Sequence, residues 1–166
     1  MGDFLAILDR PELYDPRFPE LVSGPLPEPD IAQIELALEC RLPDDYREFL
    51  LRYGRGIVCL AGAESDVLPG LEALFGQAPG KHYDLLTNHE EFRGRLPGEL
   101  VPIGETGCDL VCLAVRGENR GRIYSWDPQE DPGWYSGPPP KPDIWSSSRL
   151  CARSFAELMD SLSISE

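Results

Sequence analysis

Positive charge is scarce in this sequence: 15 lysines and arginines stand against 29 aspartates and glutamates, a net of −14. A surface with that balance repels nucleic-acid phosphates and anionic lipid, so neither nucleic acid nor membrane is an expected partner. It draws basic proteins instead, faster at low salt. No apolar run approaches the roughly 20 residues that span a bilayer, and the first residues lack the basic, apolar, small-residue order of a secretion signal. Ala6 stands where a myristoylation signal needs Ser or Thr. A cytoplasmic protein is therefore expected. There is no glycine-rich phosphate loop, no G-x-S-x-G and no H-E-x-x-H. The five cysteines, at 40, 59, 108, 112 and 151, are an odd number and fall mostly inside apolar runs, which suits buried free thiols better than a disulfide framework. Cys108 and Cys112 are four apart, but residues 110–115 read as a strand and not as a zinc knuckle.

What remains is an ordinary globular composition. At 166 residues, with 42% hydrophobic content, one domain burying about 70% of its unfolded surface is expected. The most legible stretch runs from Asp30 to Gly56. Asp30 can cap a first helix with Gln33 as capping-box partner, and Ile31, Ile34 and Leu38 share a face. Leu42-Pro43 restarts the chain, with Asp44 and Asp45 at the positive end of a second helix. Tyr46, Phe49, Leu50 and Tyr53 form its apolar stripe, and Gly54 and Gly56 end it through left-handed backbone.

The other elements follow in order. Residues 3–9 predict a short helix, and the six prolines from Pro11 to Pro29 predict an extended arm laid across the domain by Leu13, Tyr14, Phe18 and Leu21. Residues 1–29 thus form an N-terminal appendage to a domain over 30–166. Short strands are expected at 57–60 and 71–75, joined by an acidic turn at 61–66, and a helix at 83–92 with Asn88, Glu90 and Glu91 solvated. A strand ends at Gly104, and 105–107 turns the chain. The continuous apolar run Leu110–Val115 and the segment Arg122–Trp126 make an antiparallel hairpin covered on both faces. Residues 127–143 are a long Pro/Gly-rich loop, 150–152 a candidate edge strand. Ser154 with Glu157 caps a last helix striped by Phe155, Leu158, Met159 and Leu162. The fold class is α+β, a small antiparallel sheet with helices packed against it.

Three ordered blocks resemble the SMI1/KNR4 (SUKH) superfamily. The first is Glu35 with Leu42-Pro43-Asp44-Asp45-Tyr46, Phe49, Leu50 and Gly54. The second is Val101-Pro102-Ile103-Gly104 with Asp109 and the 110–126 hairpin, and the third is Ala152–Leu158. Cys108 intervenes where that family usually places Gly beside Asp or Asn. The resemblance implies a non-enzymatic immunity protein that binds and occludes a bacterial toxin. It also admits a regulatory scaffold of the same fold, for which long disordered flanks are expected and little is present.

Three constellations could carry chemistry. His82, Asp84 and His89 are ligand types for a metal-dependent enzyme, but their spacing matches no standard site. Cys108 with a histidine could form a nucleophilic pair, which nothing in the spacing fixes. No cofactor is expected. The acids Glu64, Asp66, Glu118, Asp127, Glu130 and Asp131 all fall on expected connections, either as a solvated rim or as a surface for a basic toxin, mimicking the phosphates of a nuclease substrate. Trp134, Tyr135 and Trp145 beside them are candidate interface anchors, or a local cover for the sheet.

Overall fold

The computed structural model describes residues 2–13, 17, 23–60, 62–128 and 148–164. Among the described residues, eight strands and four α-helices follow two 3-10 segments, Ala6–Asp9 and Pro11–Leu13. The helices are α1 (Glu28–Leu38), α2 (Asp44–Tyr53), α3 (Leu85–Phe92) and α4 (Phe155–Asp160). The strands are β1 (Ile57–Cys59), β2 (Ala63–Ser65), β3 (Leu71–Phe75), β4 (Leu100–Thr106), β5 (Leu110–Ala114), β6 (Ile123–Trp126), β7 (Ser148–Ala152) and β8 (Leu162–Ile164). Six of them form one antiparallel sheet in the order β1-β3-β4-β5-β6-β7, and β2 pairs with β8 in a separate ribbon. The α+β expectation holds.

Every residue of β5 and β6 is buried, as the unbroken apolar run of β5 requires of a strand covered on both faces. Helix α3 packs on the sheet through Phe92, whose ring meets Trp126 edge-on at 5.6 Å. Helices α2 and α4 are joined by an aromatic cluster: Tyr46 lies 5.7 Å from Phe49 and 5.2 Å from Phe155. Leu5, Leu8, Leu13 and Leu26, which precede α1, are buried in the same core.

The short motif around α1 and α2 is structural. A Glu35 carboxylate oxygen accepts the Leu42 N–H at 2.8 Å and so fixes the corner, while Arg47 bridges Glu28 and Glu35. Asp45 accepts the N–H of Ala156 at 2.9 Å, which docks the start of α4 onto α2 across 111 residues of sequence. Tyr46 is fully buried, burial pushes its phenol far up, and no described group bonds its hydroxyl. An unsatisfied buried hydroxyl costs about 1 kcal/mol or more, so Tyr46→Phe should raise the unfolding free energy by about that amount, read as a higher midpoint of chemical unfolding at unchanged slope. A loss of stability would show that the hydroxyl is satisfied.

Several local expectations are corrected. Helix α1 begins at Glu28, with Pro27 at its N-cap and no side-chain cap, because Pro29 fits the first turn; Asp30 and Gln33 form no capping box. Gly54 keeps right-handed backbone at φ −75°, and only Gly56 is left-handed, at φ 92°. The expected turn at 61–66 contains β2, whose partner β8 is remote in sequence. Strand β4 continues through Gly104 to Thr106. Leu162 is a strand residue, since α4 stops at Asp160. Asn88 is buried, its amide donating to the carbonyls of His82 and Asp84. Of the cysteines, Cys112 is buried and Cys108 exposed, the other three lying between.

Candidate partner-binding surface

The hairpin geometry separates the predicted acidic residues. Glu118 lies in the β5–β6 turn, beside the Ala114 and Ile123 ends of those strands. Asp127 follows Trp126, at the opposite end of the same hairpin. Strand register places Cys59, Ala73, Glu105, Leu110 and Trp126 in one row across the sheet. The chain leaves β1 and re-enters β3 at this end, and β2 with exposed Glu64, followed by exposed Asp66, is the intervening segment. Asp127 issues from the same end, three strands from β3, roughly 14 Å at ordinary strand spacing. Glu64, Asp66 and Asp127 therefore share one end of the sheet, and Glu118 belongs to the other.

Three acids that the sequence reading did not single out fill the space between. Glu72 on β3, Glu105 on β4 and Asp109 before β5 complete a row of carboxylates. Burial pushes the Glu105 carboxyl up, with Glu72 adding to the shift and His82 opposing it. Burial likewise raises Asp109, with Asp127 adding and Arg149 opposing. Like charges this close disfavour ionisation, and a cation brought against them lowers both values again. The signal available in the sequence was the extension of β4 past Gly104, which turns residues 105–109 from a bare turn into the end of a sheet.

Glu130, Asp131, Trp134, Tyr135 and Trp145 lie outside the described residues. The metal constellation does not assemble. Asp84 spends one carboxylate oxygen on the Ala78 N–H and the other as the cap of α3, His82 is exposed and packs edge-on against Tyr83, and His89, in the C-terminal half of α3, lines a cleft with α1. No cluster of three or more His, Cys, Asp or Glu able to hold a metal exists among the described residues. Nor does any histidine hydrogen-bond a cysteine among them, so no thiolate–imidazole pair forms. No described helix is long and apolar enough to cross a membrane.

Comparison with known proteins agrees with the motif reading. The model of the SMI1 / KNR4 family (SUKH-1) matches residues 25–161, from just before α1 to the end of α4. No curated protein matches the sequence. Among solved structures, the crystal structure of a protein from Pseudomonas syringae pv. tomato is similar, with 26% identity and a TM-score of 0.48, covering 75% of this chain and 81% of that one. With the corner, the β4–β6 block and the start of α4 all inside one continuous match, this chain belongs to the SMI1/KNR4 (SUKH-1) family.

Proposed function

We propose that this protein is an immunity-type binding protein that holds a basic protein toxin, a nuclease among the fitting classes, in the cytoplasm and blocks it by occlusion. The observation that carries the reading is membership of a family that includes immunity proteins. The net charge of −14 and the carboxylate row at one end of the sheet support the basic character of the partner. Glu64, Asp66 and Asp127 face that partner together with Glu72, Glu105 and Asp109. Glu130 and Asp131 add negative charge for the same partner, Trp134, Tyr135 and Trp145 supply its aromatic contacts, and Glu118 contributes at the far end of the hairpin. The mechanism is binding alone, with no cofactor and no catalytic step.

The test is to express the open reading frames beside this gene in a sensitive host, with and without this chain. A neighbour that kills, and that this protein rescues while co-purifying with it, supports the reading. If no neighbour kills, or rescue occurs without a complex, occlusion fails. With the toxin in hand, Asp127→Lys and Glu105→Lys should each weaken binding about tenfold, mainly through a slower association rate, and the loss should shrink at high salt. Binding indifferent to both salt and these reversals would remove the electrostatic part.

A further inference from the structure

At the opposite end of the sheet, a cleft of about 270 Å³ opens between the last turns of α1 and α3 and the 94–98 loop. Leu36 borders it and is 79% exposed, the most exposed large apolar side chain among the described residues. Phe92 and Leu38 line its floor. Cations border it too, in a chain that is otherwise strongly negative. The Arg116 guanidinium is held in place by donating to the carbonyls of Leu38 at 2.6 Å and Gly98 at 2.9 Å. Arg93 pairs with Glu90 at 3.5 Å, both about two-thirds exposed, a contact that is weak and easily exchanged. His89 lines the same cleft, and burial holds its imidazole below the usual value, opposed by Glu90 and aided by Arg93 and Arg116.

The rim carries a second anomaly. Glu39 closes α1 in left-handed backbone at φ 55°, the only described non-glycine residue with positive φ. Its carboxylate sits at the negative end of the helix dipole, so glycine would suit the fold better on both counts. Residues that break local rules concentrate where binding needs them.

We infer that this cleft docks the C-terminal residue of a partner polypeptide, its apolar side chain against Leu36 and Phe92 and its α-carboxylate toward Arg93 and Arg116. Glu39 accepts that residue's amide N–H at the rim. Charge complementarity favours a carboxylate: the lining holds two arginines against one glutamate, in a chain whose net charge is −14. The cleft, about 270 Å³, accommodates an apolar side chain, and a chain end carries such a side chain and a carboxylate on one residue. The inference does not depend on the toxin reading, since the cleft and the carboxylate row are at opposite ends of the sheet.

N-acetyl-L-leucine is the minimal probe, with N-acetyl-L-leucinamide as its uncharged counterpart, titrated into isotope-labelled protein and followed by two-dimensional NMR. The acid should shift Leu36, His89 and Gly94 signals with a dissociation constant on the order of 1 mM, as befits so small a ligand. It should also raise the His89 pKa. The amide and the Arg93→Glu variant should each bind at least about fivefold more weakly. Glu39→Gly should weaken binding while raising the melting temperature, a pairing that a purely structural role cannot produce. Equal binding of acid and amide, undiminished binding by either variant, or no localised shift would each overturn the inference.

Discussion

Gly76→Ala should destabilise the fold by about 3 kcal/mol, read as a fall of roughly 10 °C in melting temperature for a chain of this size. A methyl group there would overlap the carbonyl oxygens of both Gly54 and Gly56. Neither carbonyl can retreat cheaply. The Gly54 oxygen accepts the Gln77 N–H at 2.7 Å, and the Gly56 N–H donates to Gln77 at 3.0 Å, so the backbone after α2 is laced to the backbone after β3. Gly76 itself accepts the Leu85 N–H at 2.9 Å and thereby positions the first turn of α3. One added carbon therefore strains the exit of α2, the end of β3 and the entry to α3 together. Gly80→Ala is the control. Nothing lies within 4 Å of its Cβ position, and its left-handed φ of 84° is the sole source of strain, so about 1 kcal/mol is expected. Equal losses at the two sites would mean that the close approach at Gly76 carries no energy.

That junction marks the division between what the sequence displayed and what it concealed. The Tyr53-Gly54-Arg55-Gly56 close was legible as a helix stop, because glycine after an apolar stripe is a local signal. Its larger role was not legible, since it depends on Gly76, which is 22 positions away from Gly54 and pressed against it only in the folded chain. The same holds for strands. β5 announced itself by a continuous apolar run and β6 by the segment returning from a turn bounded by Gly117 and Gly121, whereas β2 is Ala-Glu-Ser, a sequence with no strand propensity that is extended because β8 pairs with it. Asp45 looked like a first-turn charge and serves also as the anchor of α4, a partnership visible only in three dimensions. For the partner surface, composition indicated its sign. The register of β3, β4 and β5 decides which carboxylates stand together, which is why Glu72, Glu105 and Asp109 escaped a reading based on loops.

Asp84→Ala should cost about 3 kcal/mol, comparable to Gly76→Ala but by the opposite cause, a lost set of bonds in place of a clash. Asp84 is 7% exposed, and its carboxylate accepts from the Ala78 N–H at 2.7 Å, the Thr87 N–H at 3.0 Å and the Thr87 hydroxyl at 2.9 Å. The Thr87 contacts satisfy the free end of α3, where the helix dipole also favours negative charge. The Ala78 contact ties down the loop that precedes the helix, and alanine would leave that N–H without its acceptor. Asn is the informative intermediate: it keeps the shape and one acceptor oxygen but removes the charge, so Asp84→Asn should lose about half as much. Because Asn88 donates to the Asp84 carbonyl from one turn on, both variants should also loosen hydrogen-exchange protection along α3 before they affect β5 and β6. If Asp84 instead served a metal with His82 and His89, the Ala variant would change metal uptake as well as stability. Titration with cobalt(II) should find no stoichiometric binding in either protein, while a site present in the parent and absent in Asp84→Ala would reinstate the metal-dependent reading.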